Sequence, residues 1–378
     1  MLIYLGLSAL LAFIAALALS VFGEASPLAI AHLVFAVAAM PLIFGAINHF
    51  VPVLTRTAGA PRVVRLAPLL LQLAGLLVFL YFSGQVGTAT LHTGAGIALL
   101  VALACLGWLV VKARSTLGSP HPGWRWYLAA VAFLAFGLAL VPAMDYWPEW
   151  RFKLRLLHVH VNLLGFVGLT AIGTLQVLLP TVLSGPDAEA SERLRGDLPW
   201  AVAGALATSF GAAFWWPLSL VGAAMLFYVA TRLLWAWLRR YGVRTLFGDG
   251  AAAALVAALF GFALFLLFGV VHGASGGGLL SGHNAVPGFM VAFLFPLVSG
   301  ALSQLLPVWR FPGRTTSARE QMRDRLASGG AFRAVLFVTA GSALALGYEQ
   351  GLWLAVPGLL HFGTALVRVY GFSRPGGN

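Results

Sequence analysis

The chain has 378 residues, of which 60% are hydrophobic and only 9% charged, and its mean hydropathy is +0.92. A water-soluble domain cannot carry that composition on its surface, so the fold class is an all-α polytopic membrane protein surrounded by membrane lipid. The formal charge of +12 comes from basic residues in short loops between apolar runs, where they act as topology signals, and this excludes a nucleic-acid partner.

Windows of about twenty apolar residues predict twelve spans, near 1–22, 28–54, 64–84, 88–111, 125–145, 156–183, 198–215, 217–238, 250–271, 283–309, 330–347 and 351–371. Residues 1–22 lack a basic leader, so they read as a first span and not as a cleaved signal peptide. The long stretch 198–238 is divided at Trp215, Trp216 and Pro217, where aromatic belt residues meet a helix breaker.

The loops test this count. With the N-terminus inside, nineteen basic residues fall on the inner side, from Arg56 to Arg374 and including Arg333, against three outside, Arg151, Lys153 and Arg155. The imbalance predicts that both ends are cytoplasmic, and the expected location is a bacterial inner membrane. Cys105, the single cysteine, lies within an apolar run, which excludes disulfides, a Cys-x-x-Cys-His haem attachment and a thiolate copper centre.

The spans also repeat. In the second, His32 precedes Pro52 by twenty residues; in the sixth, His160 precedes Pro180 by twenty; in the tenth, His283 precedes Pro307 by twenty-four. Each has a glycine seven residues before the proline: Gly45, Gly173 and Gly300. Repeated spans four apart predict a single membrane domain over 1–378, built from repeats near 1–115, 120–240 and 245–375. The twelve helices would stand in three four-helix arcs with pseudo-threefold symmetry.

Chemistry concentrates at one level. His32, His92, His158, His160, His272 and His283, six of nine histidines, fall within a few turns of the outer face. Neutral imidazole in hydrocarbon is costly unless its nitrogens find partners, and haem iron or copper are partners that suit it. The alternative for any single histidine is a hydrogen-bonded packing residue. His158 and His160 are two residues apart, about 200° around a helix, so one helix supplies a ligand to each of two neighbouring pockets. Gly165, Gly168 and Gly173 either let helices approach closely or let a flat macrocycle lie against the backbone. The eleven carboxylates fall in loops or at span ends, so the usual intramembrane proton relay is missing.

Twelve spans with a histidine in the second and an HxH pair elsewhere resemble subunit I of haem-copper oxidases and the related nitric oxide reductases. The second-span text MPLIFGAINHFVP is similar to that family's MP…G…N-W-L-V-P. The resemblance implies haem b, one or two copies, held by His32, His158, His160 and His283. It also implies a second metal, copper or non-haem iron, at His158, His272 and His283. Carried over, His32 and His160 would be the axial pair, with His283 as the alternative partner of His160, and His158 would serve the other site.

The chain departs from the family in having its HxH on the sixth span, no His-His pair on the seventh and no iron-site glutamates. These departures are closer to the NnrS family, twelve-span haem and copper proteins linked to nitric oxide stress, although Val161 and Asn162 stand where that family's HxHE has its glutamate. The expected function is a non-pumping haem protein of redox or nitric oxide metabolism. Its partners would be an electron-donor protein or quinol, and a second copy or another subunit. The alternatives are a minimal terminal oxidase or nitric oxide reductase, an oxidoreductase acting on oxygen or nitric oxide, and a secondary transporter without haem.

Overall fold

In a computed structural model of the chain, residues 1–23, 25–281 and 284–371 are described, and their regular structure is entirely helical. Glu24, His283 and Arg374 lie outside the described residues. The helices are α1 (Leu2–Phe22), α2 (Pro27–Leu54), α3 (Arg62–Phe82), α4 (Thr88–Arg114), α5 (Gly123–Tyr146), α6 (Pro148–Val182), α7 (Ala190–Phe214), α8 (Trp216–Gly248), α9 (Gly250–Ala274), α10 (Ala285–Arg310), α11 (Ser317–Ala327), α12 (Gly330–Ala345) and α13 (Gly351–Gly371).

Among the described residues, eleven stretches are long and apolar enough to cross a bilayer, with α11 and α12 counted together. The twelfth expected span, α7, falls short of that mark; its first two turns carry Glu192, Arg193, Arg195 and Asp197. The chain is therefore a multi-pass helical protein of membrane composition.

Local chemistry explains the boundaries. Ser26 caps α2, its Oγ accepting from Ala29 N at 3.1 Å with Pro27 at the first helical position. Gly23 closes α1 in the left-handed region, φ 68°, where a side chain would be strained. The break at Trp215 is real: that residue is extended, φ −153° and ψ 95°, between α7 and α8.

The chain divides into two compact units. The first comprises residues 1–177, 187–230 and 266–276; the second comprises 178–186, 231–265 and the segment from 277 onward. Within the first, α1 and α3 flank α2, and α5 and α7 pack on α6. Within the second, α12 packs on α10 and α13 on α12.

The repeated spans share a feature that their sequences do not announce. Each contains a π-helical segment, Leu33–Ala39 in α2, Val161–Gly168 in α6 and Met290–Leu294 in α10. Each segment ends five or six residues before the repeated glycine, and a π turn accommodates one extra residue per turn, re-aiming the side chains beyond it. The glycines have one role in common, close approach to the preceding helix. A Cβ on Gly45 would lie 2.6 Å from Leu5 of α1, on Gly173 2.6 Å from Trp126 of α5, and on Gly300 2.9 Å from Leu255 of α9.

The polar residue four before the proline also recurs. Asn48 Nδ2 donates to Val64 O at 2.8 Å, and Ser303 Oγ donates to Leu326 O at 3.1 Å, each reaching the next helix. The repeat is thus a packing device at its proline end.

Candidate functional site

The histidine end of the first unit is built where α2 and α6 begin. Pro148–Trp150 forms a 3-10 turn, and Arg151–His160 is regular α-helix, so His158 and His160 do leave α6 about 200° apart. His158 Nδ1 lies 2.8 Å from the carbonyl of Gly137 on α5. His160 Nδ1 lies 2.8 Å from Leu156 O on its own helix. His32 Nδ1 lies 2.7 Å from Leu28 O, and its ring stacks on Phe82 at the end of α3, centroids 4.3 Å apart and planes 17° from parallel.

These three contacts decide a tautomer. A carbonyl oxygen only accepts, so Nδ1 carries the proton in each ring and Nε2 keeps its lone pair. None of the three Nε2 atoms meets a hydrogen-bond partner among the described residues. All three rings are half-buried, and His32 and His158 lie within electrostatic range of each other. An imidazole anchored through Nδ1 on a carbonyl, with Nε2 left over, is the arrangement metal-ligating histidines adopt, because the anchored N–H fixes the ring and raises the basicity of the ligating nitrogen.

The other histidines are placed differently. His92 Nε2 lies 3.0 Å from Asp145 Oδ2, and Asp145 also holds Arg151; the His92 and Asp145 side chains are about 40% exposed, a solvated surface contact. His272 is half-buried in the last turn of α9, its carbonyl accepting from Ser275 Oγ at 3.0 Å. His361 Nδ1 accepts from Arg333 at 3.0 Å, a packing role. In the loop before α5, His121 N donates to Leu54 O at 2.9 Å and its Nδ1 accepts from Gly123 N at 3.3 Å. Burial there, with Arg195 second, holds its imidazole below the usual range.

Among the described residues no three or more His, Cys, Asp or Glu side chains gather closely enough to hold a metal ion. The expected trio of His158, His272 and His283 includes His283, which lies outside the described residues.

Two readings change with the structure. Gly165 and Gly173 are filled by α5: a Cβ on Gly165 would fall 2.3 Å from Phe133 Cδ1, and one on Gly173 would meet Trp126. The backbone there faces side chains, so of the two roles the sequence allows these glycines, helix packing is the one realised. Arg333, counted above as a loop charge, is fully buried in the first turn of α12. It donates to Ser328 O at 2.7 Å and Leu326 O at 2.8 Å, closing the negative C-terminal end of α11.

Sequence reasoning missed the groups around His158. Gly137 supplies its acceptor, and Asn162 Nδ2 donates to the His158 carbonyl at 2.8 Å. The signal for Asn162 is present in the sequence, since residues i and i+4 meet on a helix face. Nothing in the sequence marks Gly137, which lies twenty-one residues earlier.

No protein-family model, no curated protein and no solved structure matches the chain.

Proposed function

We propose that the chain is a haem b-binding membrane protein in which His32, His158 and His160 present imidazole nitrogens to the cofactor, with a role in redox or nitric oxide metabolism. The observation that carries this reading is the common state of the three rings, each anchored through Nδ1 on a carbonyl with Nε2 unpartnered. A ring nitrogen that keeps its lone pair in an apolar protein is one that a haem iron suits.

His32, His158 and His160 would hold haem b, which when bound would supply reversible one-electron chemistry. The protein's own part is to orient and to tune. Gly137 O holds His158, Leu28 O and Phe82 hold His32, and Leu156 O holds His160. The described carboxylates stand in loops, in α11, or within two turns of a helix end, which suits electron transfer without proton pumping.

The finer arrangement belongs to the same proposal: three four-helix arcs, an inner-membrane location with both ends cytoplasmic, and an electron-donor protein or quinol as partner. The three π segments in α2, α6 and α10 support the arcs, since they recur four spans apart.

The test is the visible spectrum of detergent-purified protein, oxidised and dithionite-reduced, beside His32→Ala, His158→Ala and His160→Ala. A b-type spectrum is expected in the wild type, shifted or lost when an axial ligand is removed. Colourless wild-type protein from cells with ample haem supply would refute the proposal.

A further inference from the structure

The geometry points to Asn162 and Gly137 as positioning residues for His158, acting together as a clamp that holds the ring in one tautomer and one direction. The inference rests on the haem reading only for its purpose; the clamp itself is a matter of contacts. His158 Nδ1 and Gly137 O are 2.8 Å apart, and Asn162 Nδ2 donates to His158 O at 2.8 Å. The loop closes through space: a Cβ on Gly137 would lie 2.5 Å from Asn162 Nδ2, 2.9 Å from its Oδ1 and 3.0 Å from its Cγ.

Each member therefore depends on the other two. Gly137 must lack a side chain because the Asn162 amide lies against its Cα, and that contact brings the Gly137 carbonyl within reach of the imidazole. Asn162 is the second residue of the π segment Val161–Gly168, and its amide supplies a donor to the carbonyl of the ligand residue itself. Neither His32 nor His160 has such an arrangement; each is anchored within its own helix, four residues back. His158 is the one of the three whose Nδ1 is anchored on the carbonyl of a second helix, so its tautomer depends on how α5 and α6 pack.

Partners of this kind alter metal affinity roughly tenfold to a hundredfold when removed. The experiment uses the full chain in detergent, labelled with ¹⁵N-histidine, and compares wild type with Asn162→Ala, Gly137→Ala and the double variant. Nitrogen chemical shifts of the haem-free protein report the His158 tautomer, assigned by its loss in His158→Ala, and haemin titration reports affinity.

Wild-type His158 is expected as a single Nδ1–H tautomer, and Asn162→Ala as a mixture with haemin binding weakened tenfold to a hundredfold. Gly137→Ala should do the same, and the double variant, which relieves the steric conflict without restoring the amide, should remain mixed. The His32 and His160 signals should not move, which separates positioning from general unfolding. An unchanged His158 tautomer and unchanged haemin affinity in Asn162→Ala would overturn the clamp and leave the haem reading standing. A tautomer shift in a protein whose wild type takes up no haemin would uphold the clamp and refute the haem reading.

Discussion

Replacing Gly165 by alanine tests whether the glycines of α6 serve helix packing. The added Cβ would fall 2.3 Å from Phe133 Cδ1, 2.4 Å from Cγ and 2.9 Å from Cβ, well inside van der Waals contact. Phe133 is itself buried, 6% exposed, and cannot swing away freely. Overpacking of this kind costs about 1–3 kcal/mol, against which the better helix propensity of alanine returns up to ~1 kcal/mol. The net expectation is a loss of about 1–2 kcal/mol, or a melting point lower by about 2–8 °C at ~2–4 °C per kcal/mol, the scale for domains of 150–250 residues.

Differential scanning fluorimetry in detergent measures this. A double-mutant cycle with Phe133→Ala should show coupling of about 0.5–3 kcal/mol, because the new methyl partly fills the space the ring vacates. A Gly165→Ala protein that melts normally but loses haemin binding would refute the packing argument. It would make the glycine a bed for the macrocycle instead.

Gly75→Ala should be more damaging, since its Cβ would meet the backbone of the π segment in α2, 2.2 Å from Ala36 O. Gly96→Ala, with nothing within 4 Å, should leave the melting point unchanged or raise it slightly. Arg193 and Asp187 form a buried pair at 2.6 Å, so Arg193→Met should destabilise by about 3–5 kcal/mol, and adding Asp187→Leu should recover most of that loss, as read by chemical or thermal unfolding. His121 should make stability pH-dependent: its folded pKa lies below 6.5, so the stability it contributes is present above about pH 6.5 and is lost as pH falls towards the folded value. Protonated Nδ1 also cannot accept from Gly123 N, and the melting point of His121→Gln should decline less between pH 7 and 5 than that of the wild type.

The helices were legible because bilayer length and apolar composition are properties of the chain alone. Even the weakest boundary, at Trp215, follows from a proline beside interfacial aromatics. His32, His158 and His160 were legible as candidates because imidazole is conspicuous among aliphatic residues, and the divergence of about 200° between the last two followed from regular helix at Arg151–His160. The chemical state of those rings was not legible. It depends on Gly137 O, which reaches His158 only through the packing of α5 on α6, and on carbonyls that any sequence would supply.

The recurring glycine–proline spacing is plain in the sequence, but the meaning of the glycines was set by neighbours: Leu5, Trp126 and Leu255 fill the space in front of them. Arg333 read as a topology signal and proved to be a buried helix cap, because a charge count cannot distinguish a guanidinium in a loop from one folded back onto the end of α11. The π segments were invisible, since a helix adopts one extra residue per turn in response to packing and not to composition. Sequence by itself determined which long apolar segments are helical and where the imidazoles enter them, but not the charged helix α11, Ser317–Ala327, which falls between two expected spans. Tertiary structure alone decided which nitrogen each ring leaves free, because hydrogen-bond partners come from other turns and other helices that local composition does not specify.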